Sequence, residues 1–75
     1  MAARGTYRWQ KTTDINRKHP LFELLDGETP VLDAGYTDDE VFEVAFNSSI
    51  GGRVIDWDQF VKLLEEGRSL AELDR

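Results

Sequence analysis

The chain has 75 residues, no cysteine, and nine Lys and Arg against fifteen Asp and Glu, a formal net charge of −6. That length holds one small domain, and the missing cysteines exclude a disulfide framework, a thiolate nucleophile and a Cys-ligated zinc. No apolar run approaches the ~18 residues of a membrane span, and no apolar stretch follows the basic start as in a secretory signal, so the expectation is a soluble, cytoplasmic protein.

The charge is divided along the chain. Residues 1–20 carry five cations against Asp14 alone, a net +4, whereas residues 21–75 carry four cations against fourteen acids, a net −10. A basic arm, residues 1–19, therefore precedes an acidic α+β domain, residues 20–75. Such asymmetry bears on partners rather than on fold.

The arm shows no helical stripe. Tyr7 and Trp9 alternate with Arg8 and Gln10, which fits a mobile arm or a strand added at a sheet edge, its basic side chains then meeting acidic neighbours. Mobility is the favoured expectation. Pro20 to Asp26 reads as a short helix, with Leu21, Leu24 and Leu25 at i, i+3, i+4, Pro20 at its first position and Gly27 past its end. The competing reading is a strand turning at Asp26-Gly27, a favoured hairpin dipeptide. It is set second because Pro30 would fall inside the returning strand and remove a donor.

Val31 to Asn47 carries the clearest sheet signal. Leu32, Ala34 and Tyr36 alternate, as do Phe42, Val44 and Phe46. For both sets to share one face, Leu32 must oppose Phe46, Ala34 oppose Val44 and Tyr36 oppose Phe42, which demands an odd loop of three or five residues around Asp38-Asp39-Glu40. Asp33, Gly35, Glu43 and Ala45 then lie on a wet face. Arg53 to Ile55 is a candidate third strand. The final helix, Trp57–Glu66, is the best punctuated, with Asp56 as cap, Gln59 completing a capping box and Ile55 stapling onto Phe60. Trp57, Phe60, Val61, Leu63 and Leu64 form its apolar stripe, Gly67 ends it, and Ser69 to Glu72 makes a second short turn. The expected fold is α+β: an antiparallel sheet of two or three strands packed on a C-terminal helix, a short helix before the hairpin, and the basic arm.

Little chemistry can be assembled from these residues. His19, the single histidine, has no visible orienting partner and reads as a residue leading into the first helix. Gly51-Gly52 lacks the Lys-Ser/Thr of a phosphate loop. Asp38-Asp39-Glu40 lacks the alternating ligands of a calcium loop. No metal, cofactor or catalytic residue is expected. Glu65 and Glu66 stand out because they fall in the last turn of the expected helix, where the dipole favours cations. With Asp58 and the tip residues Asp38, Asp39 and Glu40 they form a candidate acidic face for a basic protein, and the leading expectation is a non-catalytic partner or inhibitor of such a protein. The alternative is a nucleic-acid accessory role through Arg4, Tyr7, Arg8, Trp9 and Lys11, since aromatics interleaved with cations suit single strands. A homodimer through an uncovered strand edge fits either expectation.

Overall fold

The computed structural model describes residues 6–75. The tip of the expected arm, Arg4 included, lies outside them. Four strands, β1 (Tyr7–Thr12), β2 (Leu21–Asp26), β3 (Thr29–Tyr36) and β4 (Phe42–Phe46), precede a short 3-10 turn (Ser48–Ile50) and one helix, α1 (Trp57–Leu73). The strands form one antiparallel sheet in the order β1-β2-β3-β4. The α+β expectation holds; the strand count rises to four, and the candidate third strand at Arg53–Ile55 is not one of them.

The β3–β4 hairpin has the anticipated register. Leu32 opposes Phe46, Ala34 opposes Val44 and Tyr36 opposes Phe42, across a five-residue loop from Thr37 to Val41. Thr37 shapes that loop: its carbonyl accepts from the Glu40 amide (2.9 Å), and its hydroxyl accepts from the Val41 amide (3.1 Å).

Residues 21–26 are a strand and not the expected helix. Over so short a run a helical and an extended reading both fit the leucines, and six residues cannot sustain a helix without strong packing. The extended form lets Phe22 and Leu24 point together into the core, and Gly27 turns the chain at φ +62°. Pro30 is accommodated because the β2–β3 register shifts beside it: Leu24 pairs with Leu32, Leu25 with Pro30, and Val31 has no partner. This bulge places a residue that lacks an amide donor where the ladder is already broken. It also lets the consecutive residues Val31 and Leu32 both be buried.

Residues 7–12 are the edge strand β1, paired with β2 from Tyr7 opposite Asp26 to Thr12 opposite Leu21. The favoured reading of a mobile arm is therefore corrected for these residues. Trp9 supplies the reason. Its ring packs on the core, and its indole N–H donates to the Leu63 carbonyl of α1 (2.9 Å).

Helix α1 starts as anticipated, the Asp56 carboxylate accepting from the Gln59 amide (3.0 Å). It does not stop at Gly67 but runs on to Leu73, absorbing the second turn. Gly67 is present for space: a Cβ there would lie 2.4 Å from the Trp9 ring. The strand and the helix thus approach each other only because one residue has no side chain. Phe60, Leu63 and Leu64 of the stripe pack on the core, whereas Trp57 is 76% exposed.

Gly67→Ala should therefore destabilise the fold. Alanine would gain about 1 kcal/mol in helix propensity, but overpacking against the indole costs about 1–3 kcal/mol. Urea denaturation should show a net loss. In a Trp57→Phe background the emission of Trp9 should also shift to the red.

Candidate functional site

Two charged regions stand out, and they behave differently. The first centres on Glu40, which the hairpin loop holds in the left-handed region at φ 68°, a conformation that costs a non-glycine residue about 1 kcal/mol or more. Its carboxylate gathers three donors from two distant segments. Lys18 Nζ (2.8 Å) and His19 Nε2 (3.0 Å) donate to one oxygen, and Arg75 Nε (3.2 Å) donates to the other. Those bonds, His19 first and Lys18 next, hold the Glu40 carboxyl down at about 2. The same bond to Glu40 raises Lys18 above its ordinary value.

Around this hub the chain is laced together. The Arg75 guanidinium sits 4.2 Å over the Tyr36 ring, and the Tyr36 hydroxyl donates to Glu72, keeping that carboxyl below its usual range. Arg17 donates to the carbonyls of Tyr36 (2.8 Å) and His19 (3.2 Å). The Lys18 amide donates to Asp38 (3.0 Å). A shallow cleft of about 190 Å³ opens beside His19, lined by Lys11, Asp14, Arg17, Lys18 and Asp74 among others. Lys11 is engaged there by Asp74 at 2.9 Å. His19 is 7% exposed, and its Nε2–H donates a hydrogen bond to the Glu40 carboxylate. The cluster is a clamp that fastens residues 17–19 and the hairpin loop to the end of α1.

The second region is the face of the sheet turned away from α1. Trp9, Leu24, Leu32 and Phe46 form one row on the helix side. The alternate row, Gln10, Glu23, Asp33 and Ala45, faces outward, and Glu43 stands in the next outward row opposite Gly35. Glu23 and Asp33 are directly opposed like charges, an arrangement that costs a sheet about 0.2–1 kcal/mol. Among the described residues no cation lies within 4.0 Å of Glu23, Asp33 or Glu43.

The six residues read from sequence as one acidic face are not gathered together. Glu40 is bound at the C-terminal end of α1, Asp38 takes the Lys18 amide, and Asp39 is exposed beside them. Asp58 lies at the opposite end of the helix, about 24 Å away along its axis at ~1.5 Å per residue. Glu65 and Glu66 are exposed in mid-helix, since α1 continues to Leu73. Their apparent conflict with the dipole disappears with that extension. Of the second set, Trp9 is packed into the core, Lys11 pairs with Asp74, Arg8 reaches Glu28 at 3.9 Å, and Tyr7 is half-buried beside the core. Arg4 lies outside the described residues.

Sequence reasoning had already put Asp33 and Glu43 on a wet face but did not treat them as a site. It missed Glu23 because residues 20–26 were read as helical. No group of three or more His, Asp or Glu able to hold a metal occurs among the described residues, and no helix of theirs is long and apolar enough to cross a membrane. Compared with known protein families, curated proteins and solved structures, the chain matches none.

The clamp predicts an acid-sensitive fold. A carboxyl that ionises more readily in the folded chain stabilises it wherever the unfolded carboxyl is ionised, above about pH 4.5. That contribution fades as pH falls toward about 2. Glu40→Gln should be less stable than the parent at pH 7 and should lose less between pH 4.5 and 2. Denaturation curves across that window check it; parallel pH profiles for the two proteins would contradict the assignment.

Proposed function

We propose that the protein is a non-catalytic interaction module, an acidic partner or inhibitor that offers the outer face of its sheet to a larger basic protein. The observation that carries this reading is the contrast between its two kinds of charge. Of its described cations all but Lys62 are engaged within the molecule: Arg8 on Glu28, Lys11 on Asp74, Lys18 and Arg75 on Glu40, Arg53 on Asp26, Arg17 on backbone carbonyls, and Arg68 against the Phe42 ring. The surplus of acid is left facing outward, with Glu23, Asp33 and Glu43 on one open face and without counter-charges.

Opposed carboxylates on an open sheet face repel each other in the free protein, and a partner's Lys or Arg between them would remove that repulsion. Electrostatic attraction of this kind speeds encounter and is weakened by salt. The nucleic-acid alternative loses the aromatic it most needs. Stacking requires an exposed ring face, and the Trp9 ring lies against Gly67 with its N–H on Leu63.

The triple variant Glu23→Gln, Asp33→Asn, Glu43→Gln should fold with equal or slightly higher stability, because the facing charges are gone. On an affinity column it should no longer retain the basic protein that the parent captures at low salt and releases at about 0.5 M. Equal retention by parent and variant would overturn the reading, as would binding of single-stranded DNA or RNA by the parent at about 50 mM salt.

A further inference from the structure

The two edges of the sheet are unlike. Edge strand β1 carries Arg8 and Lys11, charges of the sort that discourage edge-to-edge pairing. Edge strand β4 is Phe42-Glu43-Val44-Ala45-Phe46, with no proline, lysine or bulge. Its last aromatic, Phe46, is 63% exposed. An apolar groove of about 270 Å³, lined by Ala34, Phe42, Val44, Leu64, Glu65 and Arg68, runs between this strand and α1.

The direction of the free backbone groups follows from the hairpin. The Thr37 amide donates to the Val41 carbonyl (2.8 Å) and the Asn47 amide to the Val31 carbonyl (2.9 Å). Residues 41 and 47, and by alternation Glu43 and Ala45, therefore turn their N–H and C=O toward β3. Phe42, Val44 and Phe46 turn theirs to the open edge. No backbone bond from another described segment reaches them.

We propose that a second copy of this chain pairs on β4, antiparallel, about a two-fold axis at Val44. The strand is self-complementary in that register. Val44 meets Val44, Phe42 meets Phe46, and Glu43 meets Ala45, so no carboxylate directly faces another across the axis. All three residues whose backbone groups face the edge on each copy then form hydrogen-bonded pairs, giving six bonds, and each exposed Phe46 is covered by the other copy's Phe42. Pairing in any register that sets Glu43 against Glu43 would place like charges opposite each other. The two-fold runs perpendicular to the sheet, so both helices lie on one side of an eight-stranded sheet and both acidic faces on the other.

This assembly is independent of the proposed basic partner, and salt separates the two. Each copy carries −6, so added salt should tighten the dimer by screening repulsion between copies while weakening capture of a basic protein. Sedimentation of the full chain should show a mass near twice 8.6 kDa at tens of micromolar, with the dimer fraction rising with salt. Ala45→Glu should dissociate it by setting Glu against Glu43 twice, and Glu43→Lys with Ala45→Glu should restore it. Both variants are at exposed positions, and a thermal melt confirms folding. In hydrogen exchange, the amides of Phe42, Val44 and Phe46 should gain protection with concentration, whereas those of Glu43 and Ala45 are protected throughout. A monomer at all concentrations, a dimer indifferent to Ala45→Glu, or one not restored by the double change would each overturn the proposal.

Discussion

The contact on which the rest of the structure depends is the indole of Trp9 lying against Gly67. It fastens β1 to α1, and it needs three things together: a flat aromatic, a residue with no Cβ, and the Leu63 carbonyl to accept the indole N–H hydrogen bond. Glycine inside a helix is unfavourable by about 1 kcal/mol, so the position is stabilising only because an aromatic ring occupies the space. Once Trp9 is seated, Tyr7–Thr12 must run beside β2, and the strand that follows the tip of the arm becomes part of the core. A small domain has little apolar surface to spare, and this contact recruits one of its two tryptophans.

Seating the arm also decides what the charge means. A +4 segment laid against a −10 segment could have left one end of the molecule basic and the other acidic. Instead both lysines of the arm meet acids brought from elsewhere in the chain, Lys11 at Asp74 beyond the helix and Lys18 at Glu40 in the hairpin loop. Pairing of exposed charges contributes little stability individually. Its consequence here is positional, because pairing Arg8, Lys11, Lys18, Arg53 and Arg75 internally leaves the net negative charge on surfaces away from those pairs. The acids that face outward, Glu23, Asp33 and Glu43, are those whose strands put them on the side away from the helix.

How much of this was legible in the sequence depended on the range of the interaction. The β3–β4 register was readable because two alternating apolar sets can share a face in only one parity of loop, and the start of α1 because Asp56 and Gln59 are three residues apart. The end of α1 was not, since the meaning of Gly67 lies in Trp9 on a different element; the nearest hydrogen bond linking that pair of elements spans 54 residues. Residues 21–26 satisfied two periodicities, and the choice turned on a bulge that makes Pro30 harmless, a feature without a local signature. Glu40 looked like a solvated tip residue beside Asp38 and Asp39. Its partners are 21, 22 and 35 residues distant, which no spacing rule connects. Of the acidic residues, Asp33 and Glu43 were placed correctly on the wet face by alternation, and Glu23 followed once its strand was recognised.

The same alternation ties the outer face to the edge of the sheet. Along β4 the side chains at 42, 44 and 46 point toward the helix layer while their backbone groups point outward to the edge, and those at 43 and 45 do the reverse on both counts. The residues that present free hydrogen-bonding groups are therefore the apolar ones, and Glu43 lends its charge to the outer face while its backbone is held by β3. A five-residue strand can in this way separate two tasks that would otherwise compete. Attraction for a basic surface requires uncompensated carboxylates, which repel a like molecule; pairing with a like molecule requires an edge on which those carboxylates do not meet. Placing Ala45 opposite Glu43 across the two-fold satisfies the second requirement without reducing the first, which is why the identity of residue 45 matters more than its small size and exposure would suggest.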